Sequence, residues 1–156
     1  MDREWIERYA AGAGVVGEAI RGLNREDLLA HPVAGTWSMQ QIVLHLMDSD
    51  LIGSDRMKRV IAEERPRLMG YDETAFAARL GYEQMDAAKA AEVFRLNREM
   101  TAGMLRRLDD AAFVRVGEHS ERGEESLAEL VQGYAEHLDH HMKFVRRKRE
   151  MLGKAM

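Results

Sequence analysis

The sequence predicts an all-α protein, an antiparallel four-helix bundle with a short extra helix in the connection between its second and third long helices. Three observations carry this expectation. Apolar residues recur at steps of three and four along four separate stretches, the spacing of helices that each bury one face. Two of those stretches open on a serine with Gln or Glu three residues later, the capping-box signature of a helix start. The chain has only two prolines and no alternating run of strand length.

The first helix is expected over residues 3–23, where Trp5, Tyr9, Ala13, Val16, Ile20 and Leu23 form one stripe. A loop follows over 24–37, marked by His31-Pro32 and Gly35. Ser38 with Gln41 opens the second helix. Its buried face is Met39, Ile42, Leu46, Gly53, Met57 and Val60, and Pro66 stops it near residue 64. The stretch Leu68–Tyr82 is broken by Gly70 and Gly81, and Asp72 is placed to cap a short helix over Glu73–Leu80, a lid-like connection. Good helix formers dominate Asp86–Leu108, the third helix. Its stripe of Ala87, Ala91, Phe94, Thr101, Leu105 and Leu108 also carries Arg98 and is polar in the middle. A loop spans 109–125, where Phe113-Val114-Arg115-Val116 has room for local strand pairing that would leave the class unchanged. Ser126 with Glu129 then starts the last helix, which reaches residue 152.

A chain of 156 residues supports one domain, 1–156, with a core of its own. Without cysteine there are no disulfides, thiolate ligands or cysteine nucleophile, so any metal must sit on nitrogen or oxygen. The opening Met1-Asp2-Arg3-Glu4-Trp5 is charged and leads into no apolar run of membrane-spanning length, so a cytoplasmic location without a membrane partner is expected. A net charge of -4 offers no long-range attraction to nucleic acid. The basic run Arg146-Arg147-Lys148-Arg149 is read as complementing the negative end of a helix dipole rather than as a phosphate site.

The last helix places Leu130, Tyr134, His137, His141, Phe144 and Val145 on a single face, so two histidines interrupt an apolar stripe at its centre. A buried imidazole must have its nitrogens satisfied, since an unpaired buried polar group costs roughly 1 to 3 kcal/mol. Four residues apart, His137 and His141 direct their rings to a common point. His45, at the edge of the second helix's stripe and close in angle to Ser49 and Arg56, is the third candidate. The competing reading is a set of hydrogen-bonded core histidines. A tripod of neutral imidazoles from two helices would leave coordination positions free, as catalytic sites do. His140 points away from the centre of that face, as a solvated residue or as a group behind the ligands, and His31 and His119, in loops, receive no role. No glutamate follows His137 directly, so this is not the HExxH of zinc peptidases.

Taken in order, Thr36-Trp37-Ser38, Ile42-Val43-Leu44-His45-Leu46, Asp48-Ser49-Asp50, Arg56, Pro66 with Gly70-Tyr71-Asp72-Glu73, His119 through Gly123, and Glu136-His137-Leu138-Asp139-His140-His141 resemble the DinB-like, or YfiT-like, superfamily of metal-dependent four-helix-bundle proteins. The resemblance spans nearly the whole chain. It implies an antiparallel bundle, frequently a homodimer, with one divalent ion, zinc or nickel, held by His45, His137 and His141. Such an ion lowers the pKa of bound water to about 7 or polarises a carbonyl, which makes hydrolysis of a small molecule available. Some members look like thiol S-transferases or isomerases; here a low-molecular-weight thiol would have to come from solution. Asp72 and Glu73 are the catalytic candidates, reaching the open side from the lid, with capping as the plainer role for Asp72. Tyr71, Asn97 and Arg98 are the substrate-binding candidates, with Arg98 either holding an anion or paired with Asp50. The rival function is a dimeric helical module whose metal, if any, is structural; an apolar patch on the first helix would mark it.

Overall fold

Three capping boxes set the frame of the bundle. Ser38 with Gln41 and Ser126 with Glu129 satisfy each other's backbone groups at the starts of the two helices that carry the histidines, and Asn24 with Asp27 does the same for a helix inside the expected loop. The structure is a computed structural model that describes residues 3–156; Met1 and Asp2 of the charged opening segment lie outside them. Along the chain come α1 (Glu4–Ala11), α2 (Val15–Ile20), α3 (Arg25–Leu29), α4 (Met39–Ala62), β1 (Arg67–Leu68), α5 (Glu73–Arg79), α6 (Ala87–Leu105), β2 (Val116–His119), β3 (Gly123–Ser126) and α7 (Leu127–Met151). The bundle is formed by α4, α6, α7 and the α1–α2 pair, and α5 is the short helix expected between the second and third long ones.

Two features depart from the expected elements. The first helix is broken between Ala11 and Val15. A side chain at Gly12 would stand 2.6 Å from both Arg98 Nη1 and Leu138 Cδ2, so the chain turns where glycine lets two neighbouring helices approach. Arg98 Nη1 donates to the Tyr9 carbonyl, which also accepts from Gly12 N at the helix end. The second departure is a three-stranded sheet in the order β1-β2-β3, with β1 parallel to β2 and β2 antiparallel to β3. Its middle strand starts at Val116; Phe113 and Val114 instead lie in a 3-10 turn, Asp110–Val114, that Asp109 caps. The sheet ties the end of α4 to the start of α7 and walls one side of the bundle's opening.

The core is divided. One apolar cluster gathers Val16, Ile42, Leu46, Phe94, Leu138 and Met142, the other Ile6, Met57, Val60, Leu105, Leu130 and Val131. Beside them lies a buried polar group of Asp50 and Ser54 from α4 with Arg98 and Thr101 from α6, the latter two being the polar middle expected of the third helix. In it Arg98 Nε donates to Asp50 at 2.8 Å, Asn97 Nδ2 donates to the same carboxylate at 2.7 Å, and the Tyr9 hydroxyl lies 3.3 Å from both its oxygens. Burial pushes the Asp50 carboxyl up while Arg98 and Asn97 pull it back. Among the described residues no helix is long and apolar enough to cross a membrane.

Candidate metal centre

The buried line of α7 runs through Leu127, Val131, Ala135, Leu138, Met142 and Val145. His137 and His141 are half-buried at its margin, and Phe144 is exposed. The expectation that the pair sits at the centre of the stripe is therefore corrected. A margin position has a physical use, because imidazoles sealed in the centre could not share a ligand with solvent. His45 is 1% exposed, in mid-wall of α4 rather than at the edge of its stripe.

Across α4 and α7 the three rings converge. The Nε2 atoms of His45 and His141 each lie 3.1 Å from His137 Nε2, and the ligand atoms of all three lie within 4.8 Å of one another. A neutral imidazole carries one N–H, so three nitrogens facing one point bring lone pairs together, an arrangement a cation relieves. Burial, then His141, holds the His45 pKa down to about 4; burial, then His141 and His45, holds His137 to about 3; burial, then His140, holds His141 to about 4. Near pH 7 the set is neutral, the protonation state that ligates. Trp37 packs edge-on against His45 with centroids 5.0 Å apart and fixes that ring. The donor set and its geometry fit a divalent metal ion.

A cavity of about 380 Å³ opens beside the triad, bordered by His45, His137, Tyr71, Glu73, Arg56, His119 and Tyr134. Glu73, on the first turn of α5, brings Oε2 to 3.6 Å from His45 Nε2. Burial pushes the Tyr71 hydroxyl up, and Ser49 hydrogen-bonds to it. Gly53 lets Tyr134 reach this position: a Cβ there would stand 2.5 Å from the phenol ring.

The other candidates fall elsewhere. Asp72 caps α5, its Oδ1 accepting from Ala75 N at 2.9 Å, and does not border the cavity. Asn97 and Arg98 are consumed by Asp50, so both leave the list of substrate-binding residues; the Asp50 pairing is the role Arg98 takes. His140 is exposed, as expected. His119, to which sequence reasoning gave no role, is 3% exposed and borders the cavity. In the basic run only Arg146 and Arg147 are solvated: Lys148 donates to Thr36 Oγ1, and Arg149 donates to the carbonyls of Ala19, Arg21 and Lys154.

Residues 11–145 match the model of the DinB superfamily. A protein of Oceanobacillus iheyensis named "putative metal-dependent hydrolase" is 28% identical over 91% of this chain and 82% of its own length. A relative of the same name from Bacillus licheniformis is 26% identical over 96% and 86%. Among solved structures, YfiT of Bacillus subtilis, described as "a probable metal-dependent hydrolase with an unusual four-helix bundle topology", superposes with a TM-score of 0.91 at 23% identity, covering 97% of this chain and 87% of that one. A DinB-like protein of the same organism gives a TM-score of 0.70 at 14% identity.

Proposed function

This chain belongs to the DinB superfamily, and from that membership and its open histidine cluster we propose that it is a metal-dependent hydrolase of small molecules, with one zinc or nickel ion on His45, His137 and His141. The observation that carries the reading is the convergence of three Nε2 atoms, two of them on rings that border a cavity, with a carboxylate, Glu73, 3.6 Å from one of them. Bound there, the ion would supply Lewis acidity at a substrate carbonyl and lower the pKa of water. The chain's own residues do the rest. Glu73 is placed to take a proton from the attacking group. Tyr71 and Tyr134 border the substrate volume, and Trp37 with α4 shields the His45 side of the cluster from bulk water.

The same opening admits a small thiol from solution as the attacking group. Against the non-catalytic reading, none of the exposed large apolar side chains among the described residues belongs to α1 or α2. The test is elemental analysis of tag-free protein followed by a screen of small esters and amides, with and without chelator and with small thiols as alternative acceptors. One equivalent of zinc or nickel, lost in His137→Ala, and turnover lost with chelator are the expected results. Metal retained by His137→Ala would remove the site, and turnover indifferent to chelator would remove the mechanism.

A further inference from the structure

Arg56 is a buried cation without a counter-ion. It is 5% exposed, its Nη1 donates to the Tyr134 hydroxyl at 2.9 Å, its Nη2 donates to the Met69 carbonyl, and its Nε has no partner. Among the described residues no carboxylate forms an ion pair with it, which is a costly state for a buried charge. Simple carbonyl capping does not account for this. Arg149, which does cap carbonyls, has Nε and Nη1 both engaged and borders none of the described cavities.

Two more donors border the same cavity. His119 accepts the Glu121 N–H on Nδ1 at 3.2 Å, so the proton of its neutral ring sits on Nε2, which is buried with no partner. The Tyr134 hydroxyl accepts from Arg56, leaving its own proton to donate. The acids that border the cavity are occupied or exposed. Glu125 pairs with Arg122 at 2.8 and 2.9 Å, Glu129 accepts from Ser126 N at 2.8 Å, and Glu73 and Glu121 are exposed to water. The floor thus offers a cation and two N–H or O–H donors, and its exposed carboxylates stand at the mouth.

We infer that Arg56, His119 and Tyr134 form a subsite for a carboxylate, so that the substrate is a small carboxylic acid bearing its labile bond on the side facing His45 and His137. A planar carboxylate has two acceptor oxygens and one charge, matching what the floor leaves unsatisfied. This rests on the hydrolase reading for the labile bond, but not for the binding of the acid itself.

The experiment is calorimetric titration of succinate, of neutral succinamide and of inorganic phosphate into metal-loaded protein, His137→Ala, Arg56→Gln, Arg56→Lys and His119→Gln, with metal content and circular dichroism read for each. Succinate is expected to keep binding His137→Ala, less the share that its second carboxylate gains from the ion, and to bind Arg56→Gln roughly tenfold or more weakly than wild type, with intermediate strength for Arg56→Lys and His119→Gln. Succinamide is expected to bind weakly and without regard to residue 56. Equal succinate affinity in wild type and Arg56→Gln would overturn the subsite; so would loss of binding on His137→Ala alone, which would put the acid on the ion, or phosphate binding more tightly than succinate. If Arg56→Gln loses its helical signal, His119→Gln decides by the same criterion. Wild type that holds no metal but binds succinate through Arg56 defeats the hydrolase reading and leaves the subsite standing.

Discussion

Arg98 donates from Nη2 to the carbonyl oxygen of Tyr134 at 2.7 Å, one turn before His137 on α7. The same guanidinium holds Asp50 on α4 and the carbonyl of Tyr9 on α1. One side chain therefore sets three helices relative to one another at the level of the histidines. Removing one partner of such a buried pair leaves the other charge stranded, at a cost of about 3 to 5 kcal/mol. Arg98→Met is expected to lower stability by that amount in urea unfolding and to weaken metal retention, because the turn before His137 loses its anchor. The double variant Arg98→Met with Asp50→Leu should recover most of the stability but not the metal affinity. A double variant no more stable than the single one would show that Asp50 is not the cost.

The histidine cluster makes the metal-free protein acid-sensitive. Held at about 4, 3 and 4 against an ordinary value of 6.5, the imidazoles of His45, His137 and His141 take up protons in the unfolded chain before they do in the folded one. Their contribution to stability is thus complete above pH 6.5 and falls as the pH drops toward 3, by roughly 1.4 kcal/mol per pH unit for each proton of difference. Chelator-treated protein should show its unfolding midpoint falling steadily from pH 6.5 to 4.5, and His137→Phe should show a shallower fall. Equal slopes in the two proteins would mean that other groups dominate.

Most of this architecture is legible in the sequence, and what is not has identifiable causes. Ser38–Gln41 and Ser126–Glu129 locate the two histidine helices because capping is local and needs no tertiary partner. His45, His137 and His141 emerge as candidates from helical spacing, which leaves core histidines as a rival, and the family resemblance implies the same three as ligands. The break after Ala11 is hidden because the stripe continues through it and its cause, the approach of Arg98 and Leu138 to Gly12, lies 86 and 126 residues away in the chain. Arg98 is ambiguous for the same reason: a polar residue in an apolar stripe says that something is met inside, not whether it is substrate or Asp50. His119 reads as a loop residue in the sequence because only strand pairing with β1 and β3 brings it to the cavity. One clue is available beforehand, since α3 begins with Asn24 and Asp27 in the spacing of a capping box inside the expected loop.

Gly53 is a further point where packing overrides helix propensity. In mid-helix a glycine costs about 1 kcal/mol relative to alanine, so Gly53→Ala would stabilise α4 if only the helix counted. The Tyr134 ring, 2.5 Å from the added methyl position, reverses the sign. Displacing an aromatic ring from a packed contact costs roughly 1 to 3 kcal/mol. A net loss of stability on thermal unfolding is expected, and the loss should vanish when Gly53→Ala is measured in a Tyr134→Ala background, where the ring is gone. A gain from Gly53→Ala alone would place the ring elsewhere.

Asp72 and Glu73 are neighbours with separable roles. Asp72 caps α5, so Asp72→Ala should cost about 0.5 to 2 kcal/mol of stability, and its effect on turnover should shrink as the temperature is lowered and the lid helix re-forms. Glu73 is exposed and makes no cap, yet its carboxylate stands 3.6 Å from His45 Nε2 at the cavity's edge. Glu73→Gln keeps the size and removes the base, so turnover of the substrate found by screening is expected to fall by about 10² to 10⁴ at unchanged metal content and unfolding midpoint. Glu73→Asp, whose shorter side chain draws the carboxylate back, should sit between the two. Turnover that survives Glu73→Gln at full metal content would take the proton-accepting role away from the lid and return it to solvent.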